Sequence, residues 1–309
     1  MILCCGEALI DMIPTATTDG QTGFVPLNGG AIFNTAIALG RLGAPTGMVT
    51  GLSSDLFGQQ LLAGLKQSNV DTARIAISDR TSTLAFVQLV EGHATYTFYD
   101  ENSAGRSLAI SDLPSQSDDI TALYFGGISL CNPPAADTYQ AFAEREAGRA
   151  VIMLDPNIRP GFILDDTAHR ARLAAMIAAS DIIKVSDEDL DWIYPSASLS
   201  EQVTRLQEDG ALYIILTRGS EGATAFGPNN LEVTIKARKV KVVDTVGAGD
   251  TFNAGFLASL SNQGLLTRDA IGTLSCKQLQ AAMSLGAQVA AITVSRAGAN
   301  SPWKSELTQ

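Results

Sequence analysis

A chain of 309 residues is longer than one ordinary core requires and short for two, so one large domain with a small appendage is expected. Its 46% hydrophobic and 17% charged residues exclude a disordered chain. The net charge of −11, with no Lys/Arg run to reverse it locally, argues against nucleic acid and anionic membrane surfaces as partners, although N–H groups at a helix N-terminus attract phosphate whatever the global charge.

The opening Met1–Glu7 has no basic residue ahead of its apolar run and is followed by Asp11, so it does not read as a secretory signal. No apolar stretch reaches the length needed to span a bilayer. Cys4, Cys5, Cys131 and Cys276 lack a Cys-x-x-Cys spacing and are expected as buried, reduced thiols of a cytoplasmic protein. His93 and His169 are isolated, with no ligand partner at helical spacing, and are assigned no role.

In chain order, an apolar strand is predicted over Ile2–Leu9, with Asp11 at its end. A helix over Ala31–Leu42 stops at Gly43, which can adopt the left-handed cap conformation. β-rich runs at Thr46–Leu52, Leu123–Gly127, Ala150–Asp155, Ile182–Val185 and Tyr213–Thr217 then alternate with helical patterns over Gly58–Gln67, Asp137–Ala147, Ala168–Ala179, Leu199–Glu208 and Asp250–Leu260. This alternation predicts an α/β fold with a mainly parallel central sheet covered by helices on both faces. Residues 12–27 and 84–99 break the rhythm, the second because Glu91-Gly92-His93 divides two β-rich runs into a hairpin. They are predicted to leave the main sheet and form a small β-lid, with 1–11, 28–83 and 100–309 making the main domain.

The chemistry concentrates in Val243-Asp244-Thr245-Val246-Gly247-Ala248-Gly249-Asp250-Thr251-Phe252-Asn253-Ala254-Gly255-Phe256. A β-rich run enters a turn of small residues, and a helix is predicted from Asp250. Gly247, Ala248 and Gly249 bring bare N–H groups to a positive helix end, where a phosphate fits. A carboxylate there would repel that phosphate, unless Asp250 takes a proton from an incoming hydroxyl while the N–H groups neutralise the transferring phosphoryl group. The plain alternative is an Asp N-cap after a flexible turn.

Asp244–Phe252 closely resembles the C-terminal signature of the ribokinase (PfkB) family of carbohydrate kinases, and the resemblance covers nearly the whole chain. Gly6-Glu7-Ala8-Leu9-Ile10-Asp11 looks like the opening of bacterial fructokinases, and Gly29-Gly30-Ala31-Ile32-Phe33-Asn34 like the family's sugar-binding turn. Asp155-Pro156-Asn157-Ile158-Arg159-Pro160 is similar to the segment that supplies an arginine in fructokinases and ketodeoxygluconate kinases. The resemblance implies ATP-dependent phosphorylation of a sugar primary hydroxyl, D-fructose to fructose 6-phosphate, with 2-keto-3-deoxygluconate or another sugar or nucleoside as the alternative acceptor. Asp250 would be the general base, Gly247, Ala248 and Gly249 the anion hole and Arg159 a second catalytic group. Asp11, Gly29, Gly30, Asn34, Phe98, Arg159 and Asp250 would bind sugar.

For ATP, the resemblance points to Lys184, Thr217, Gly219, Gly222, Gly247 and Gly249, with Ala282 and Gly286 leaving room for adenine. Mg2+ is implied through Asp189 and water, although Ser186 and Asp189 depart from the family's Asn-x-x-Glu. A monovalent cation such as K+ is implied near Asp244, Val246 and Gly298, and a homodimer through the lid.

Plainer readings stand beside these. Arg159 also fits an exposed loop, Ser186–Asp189 a solvated acidic helix start, and Ala282 and Gly286 core packing. A nucleotide-linked oxidoreductase is a poor alternative, because Phe252 replaces the third glycine of Gly-x-Gly-x-x-Gly and the motif lies late in the chain. A P-loop enzyme would need a Gly-Lys-Ser/Thr that is missing. A non-catalytic sugar-binding protein on the same fold remains as the alternative of another class.

Overall fold

A computed structural model describes residues 1–90 and 93–307. Strand β1 (Ile2–Cys5) leads to β2 (Leu9–Ala16), β3 (Thr22–Gly29), helix α1 (Ala31–Arg41), β4 (Thr46–Val49), β5 (Gly51–Ser53), α2 (Leu56–Gln67), β6 (Ala76–Ser78), β7 (Leu84–Val90) and β8 (His93–Tyr99). There follow β9 (Ala122–Gly126), α3 (Ala135–Glu146), β10 (Val151–Asp155), α4 (Asp166–Ala178), β11 (Ile182–Ser186), α5 (Asp187–Ile193), α6 (Leu199–Glu208) and β12 (Tyr213–Thr217). The last elements are β13 (Ala223–Gly227), β14 (Leu231–Ile235), α7 (Ala248–Asn262), α8 (Arg268–Ile271) and α9 (Cys276–Val294).

Eight strands form the central sheet in the order β14-β13-β12-β11-β10-β9-β1-β4. Pairing is parallel from β4 to β12 and antiparallel from β12 to β14. Both faces are covered, so the inner strands read as unbroken apolar runs and not as alternations. In β1, Cys4 belongs to one core with α1, α7 and α9, while Cys5 faces the other with α3, α4 and α6. Cys131 is buried as well, but Cys276 is exposed at the first residue of α9, contrary to the expectation that all four thiols are enclosed. No helix among the described residues is long and apolar enough to cross a membrane.

A second, four-stranded sheet has the order β3-β2-β7-β8. The expected single strand Ile2–Leu9 is in fact two, broken at 6–8, and the second half starts this small sheet, so Asp11 lies inside a β2–β3 ladder that runs from Leu9–Gly29 to Ala16–Thr22. The turn expected at Glu91-Gly92 lies outside the described residues, whereas His93 already belongs to β8. Helix α1 follows directly from β3, and Gly43 just past its end has φ of +79°, as its cap role demands.

Candidate active site

Helix α7 begins at Ala248 with Gly247 as N-cap, held at φ +77°, a conformation that side-chain-bearing residues resist. Asp250 is therefore the third helical residue and not the N-cap. No side chain caps this helix. The amide of Ala248 reaches back to the Thr245 carbonyl at 3.3 Å, and among the described residues those of Gly249 and Asp250 make no backbone hydrogen bond. The β-rich run expected ahead of the turn forms no strand. Residues 236–247 are instead tied to α9 through the Val243 and Asp244 amides, which donate to the Val294 carbonyl.

The Asp250 carboxyl is buried, 8% exposed, and accepts a 2.9 Å hydrogen bond from Asn34 Nδ2. Burial pushes its pKa up to about 7; the Asn34 bond opposes this, Asp155 adds to it, Lys184 opposes it and Glu7 adds to it. Asn34 is placed by α1, whose N-terminus is capped from a distance. Gly30, at φ +103°, provides no cap side chain, so Glu7 Oε1 accepts the Ala31 and Ile32 amides at 2.9 and 3.4 Å. Its other oxygen accepts the Ser129 amide at 3.2 Å. Thr35 Oγ1 then donates to the Asp250 carbonyl at 3.1 Å, joining α1 to α7.

Asp11 packs so closely under Gly29 that a Cβ there would fall 2.1 Å from Asp11 Oδ2, and burial raises the Asp11 carboxyl to about 6. Phe98 meets Phe162 edge to face at 4.5 Å. Phe162 lines a small cavity of about 30 Å3 with Glu7, Thr83, Asp100, Arg106 and Asn132. Asp100 Oδ1 accepts from Thr83 Oγ1 at 2.7 Å and from Ser103 Oγ at 3.0 Å. Arg159 is exposed, its Nη1 donating to the carbonyl of Ile158.

On the other side of α7 lies a cavity of about 690 Å3, bordered by Thr217, Gly219, Gly222, Ala248, Gly249 and Phe252. Its far wall comes from Ala287, Ala290, Ala291 and Val294 of α9. Ala282 and Gly286, the residues expected there, are not on this wall. Ala282 is fully buried, and a Cβ on Gly286 would lie 2.8 Å from the Phe252 carbonyl oxygen and 3.1 Å from its ring. Gly286 serves the close crossing of α7 and α9, and Ala282 lies in the core. Gly286→Ala is therefore expected to destabilise the fold by roughly 1–3 kcal/mol through overpacking, read as a lower Tm, with the KM for nucleotide kept within ~3-fold. A raised KM at unchanged Tm would put Gly286 back in the cavity.

The expectation of no basic run also needs correction: Lys236, Arg238, Lys239 and Lys241 fall within six residues, and Arg238 and Lys239 border this cavity. Lys184 approaches from the sheet. Its Nζ is 3.0 Å from Asp155 Oδ2 and would touch a Cβ on Gly249 at 3.3 Å. Asp189 is a capping-box residue, its two oxygens accepting the Ile158 amide at 2.8 Å and the Ser186 amide at 3.3 Å. Asp244 likewise joins two turns, accepting from the amides of Val246 and Gly298 at 3.0 and 2.9 Å. Sequence reasoning gave no role to Glu7, Asp155 or Asn253, because nothing in their neighbourhood reveals partners dozens of residues away.

A buried acid in the first turn of α7, next to residues that border the larger cavity, on a mixed sheet with a separate small sheet, fits the class that the comparisons show, a carbohydrate kinase. Residues 1–306 match the profile of the pfkB family carbohydrate kinases, and the chain belongs to that family. It is 53% identical over 280 residues to a fructokinase of Rhizobium leguminosarum bv. trifolii, covering 91% of this chain and 86% of that one. A fructokinase of Xylella fastidiosa solved with bound ATP superposes with a TM-score of 0.90 at 26% identity, over 99% of this chain and 96% of that one. The fructokinase of Vibrio cholerae O395 bound to fructose, ADP and calcium gives 0.87 at 25% identity, over 99% and 97%.

Proposed function

We propose that the chain transfers the γ-phosphoryl group of ATP to the primary hydroxyl of D-fructose, giving fructose 6-phosphate. The observation that carries this is Asp250, buried, oriented by Asn34 and set in the first turn of a helix whose amides at Gly249 and Asp250 are unbonded. Asp250 takes the hydroxyl proton, and the amides of Gly247–Gly249 and their helix end stabilise charge on the transferring group. Thr217, Gly219, Gly222 and Lys184 hold the nucleotide in the larger cavity, and the basic run offsets the chain's net negative charge beside it. Gly29, Gly30, Asn34, Asp11, Phe98 and Arg159 hold the sugar. The small sheet, residues 12–27 and 84–99, covers it and excludes water. Its exposed Phe24 and Tyr99, packed edge to face on Phe86, provide the surface for a homodimer.

Mg2+ would be held chiefly by the triphosphate. No cluster of three acidic, His or Cys ligands exists among the described residues, which suits an ion held mainly by phosphates and water. Each Asp189 oxygen accepts one amide and keeps a lone pair, so this residue fits as the holder of a metal-bound water, and the ion when bound neutralises phosphate oxygens. The carbonyls of Asp244 and Val246 accept no backbone N–H among the described residues, so these turns with Gly298 fit a monovalent cation such as K+.

Fructose is favoured over 2-keto-3-deoxygluconate by the names of the relatives and by charge. Asp100 and Glu7 line the small cavity and Asp11 packs under Gly29, so a sugar carboxylate held by these residues would meet like charge that a neutral ketose escapes. The test is kcat/KM for both acceptors at fixed ATP and Mg2+, read as ADP release. Fructose is expected to lead by at least ~10-fold, since one unpaired charge contact is worth more than 1.4 kcal/mol. A higher value for the sugar acid overturns the fructose assignment, and ATP turnover with no sugar overturns the kinase reading.

A further inference from the structure

Around Lys184 lies a polar cluster whose other members, Asp155, Asn253 and Tyr124, the reaction as described leaves unused. Asp155, at the end of β10, is 1% exposed, and its Oδ2 accepts from Lys184 Nζ at 3.0 Å and from Asn253 Nδ2 at 2.7 Å. Asn253, fully buried one turn after Asp250 on α7, also donates to the Tyr124 hydroxyl at 2.9 Å. Three elements, β10, β11 and α7, thus meet at one carboxylate oxygen. The second oxygen of Asp155 and the side-chain oxygen of Asn253 have no partner although both are buried. A buried acceptor without a protein partner costs about 1–3 kcal/mol, so a cluster holding two of them is a candidate for a role beyond stability. Lys184 has three protons, of which Asp155 takes one. The ammonium lies beside Gly249, 3.3 Å from where a Cβ on that residue would stand, so it flanks the same helix start as the unbonded amides and could meet an anion bound there together with them.

Resting on the kinase reading above, we propose that Asp155 is a positioning residue for phosphoryl transfer. It fixes the Lys184 ammonium at the helix end where the transferring group lies, and it anchors α7, and with it Asp250, through Asn253. Fixing an ammonium before the reaction matters because an electrostatic group already in place needs no reorganisation as charge moves. The partial neutralisation of Lys184 by Asp155 is the cost of that fixed geometry, and Asn253 reduces it by sharing the same oxygen.

The titratable groups that act on the Asp250 carboxyl are Asp155 from β10, Lys184 from β11, Tyr124 from β9 and Glu7 ahead of β2. Asp155 and Lys184 act on it with opposite sign, so their removal must move the acid limb of the rate profile in opposite directions.

The experiment compares Asp155→Asn, Lys184→Met and the double variant by Tm, by kcat and KM for sugar and for ATP, and by the pH profile of kcat. Asp155→Asn is expected to lower kcat by ~10–10²-fold with sugar KM within ~3-fold and the acid limb displaced to lower pH. Lys184→Met should lower kcat at least as far and displace the limb upward. The double variant, with no unpaired buried charge, should recover Tm yet stay as slow as Lys184→Met. Wild-type kcat and an unmoved limb in Asp155→Asn would overturn the proposal, as would a double variant that regains kcat together with Tm. Binding of a non-hydrolysable ATP analogue and of adenosine is measured on the same proteins. If the wild type phosphorylates no sugar, the kinase reading fails, while loss of analogue affinity without loss of adenosine affinity in both single variants still supports the positioning role, and unchanged analogue affinity overturns it.

Discussion

Asp250→Asn should lower kcat by at least ~10²-fold, because the asparagine keeps the shape and the Asn34 contact but cannot accept the hydroxyl proton. Sugar KM should change far less. With its pKa raised to about 7 by burial, the wild-type carboxyl is mostly protonated below neutrality, so kcat should fall about tenfold per pH unit on the acid side of 7, and the residual rate of the variant should lack that limb. Stability moves the other way. A carboxyl whose folded pKa lies above its unfolded value favours the fold while protonated, so wild-type stability declines as pH rises from about 4 to 7 and is flat beyond. The Tm of the variant relative to wild type should therefore rise across that window. A folded variant with near-normal kcat would reduce Asp250 to an ordinary first-turn acid.

Glu7→Ala is the second large effect. Its carboxylate accepts three amides, from Ala31, Ile32 and Ser129, and two of these are the orphan donors at the start of α1. Truncation leaves them buried and unpaired, at an expected loss of roughly 3 kcal/mol, read as a fall in Tm. The start of α1 also carries Asn34, so the 2.9 Å bond to Asp250 should loosen, lowering kcat ~10-fold and raising sugar KM. A variant with lower Tm but unaltered kinetics would show that the cap supports the helix without orienting Asn34.

Much of the frame was legible because its signals are local. The helix Leu199–Glu208 and the strand Tyr213–Thr217 were placed to the residue, since period, cap residues and turn glycines all lie within a few positions of one another. The helix over 248–262 was placed two residues late at its start, because Asp250 looks like a cap while the left-handed Gly247 does the work. Lys239–Val243 has the composition of a strand but joins no sheet, because composition cannot supply a partner and pairing is a tertiary matter.

By itself, then, the sequence determined the parallel sheet with helices on both faces, the departure of two β-rich regions into a second sheet, and the small-residue turn that precedes Asp250. Only the tertiary structure decided which distant groups meet: Asn34 with Asp250, 216 residues apart, and Glu7 with the start of α1. It also placed Asp155 with Lys184 and Asn253, and moved Ala282 from the cavity wall into the core and Gly286 into a helix crossing. The physical reason is range. Backbone preference and hydrophobic period are set by neighbours in the chain, whereas a buried hydrogen bond or a helix crossing too close for a Cβ is set by packing, which leaves no period in the sequence to read.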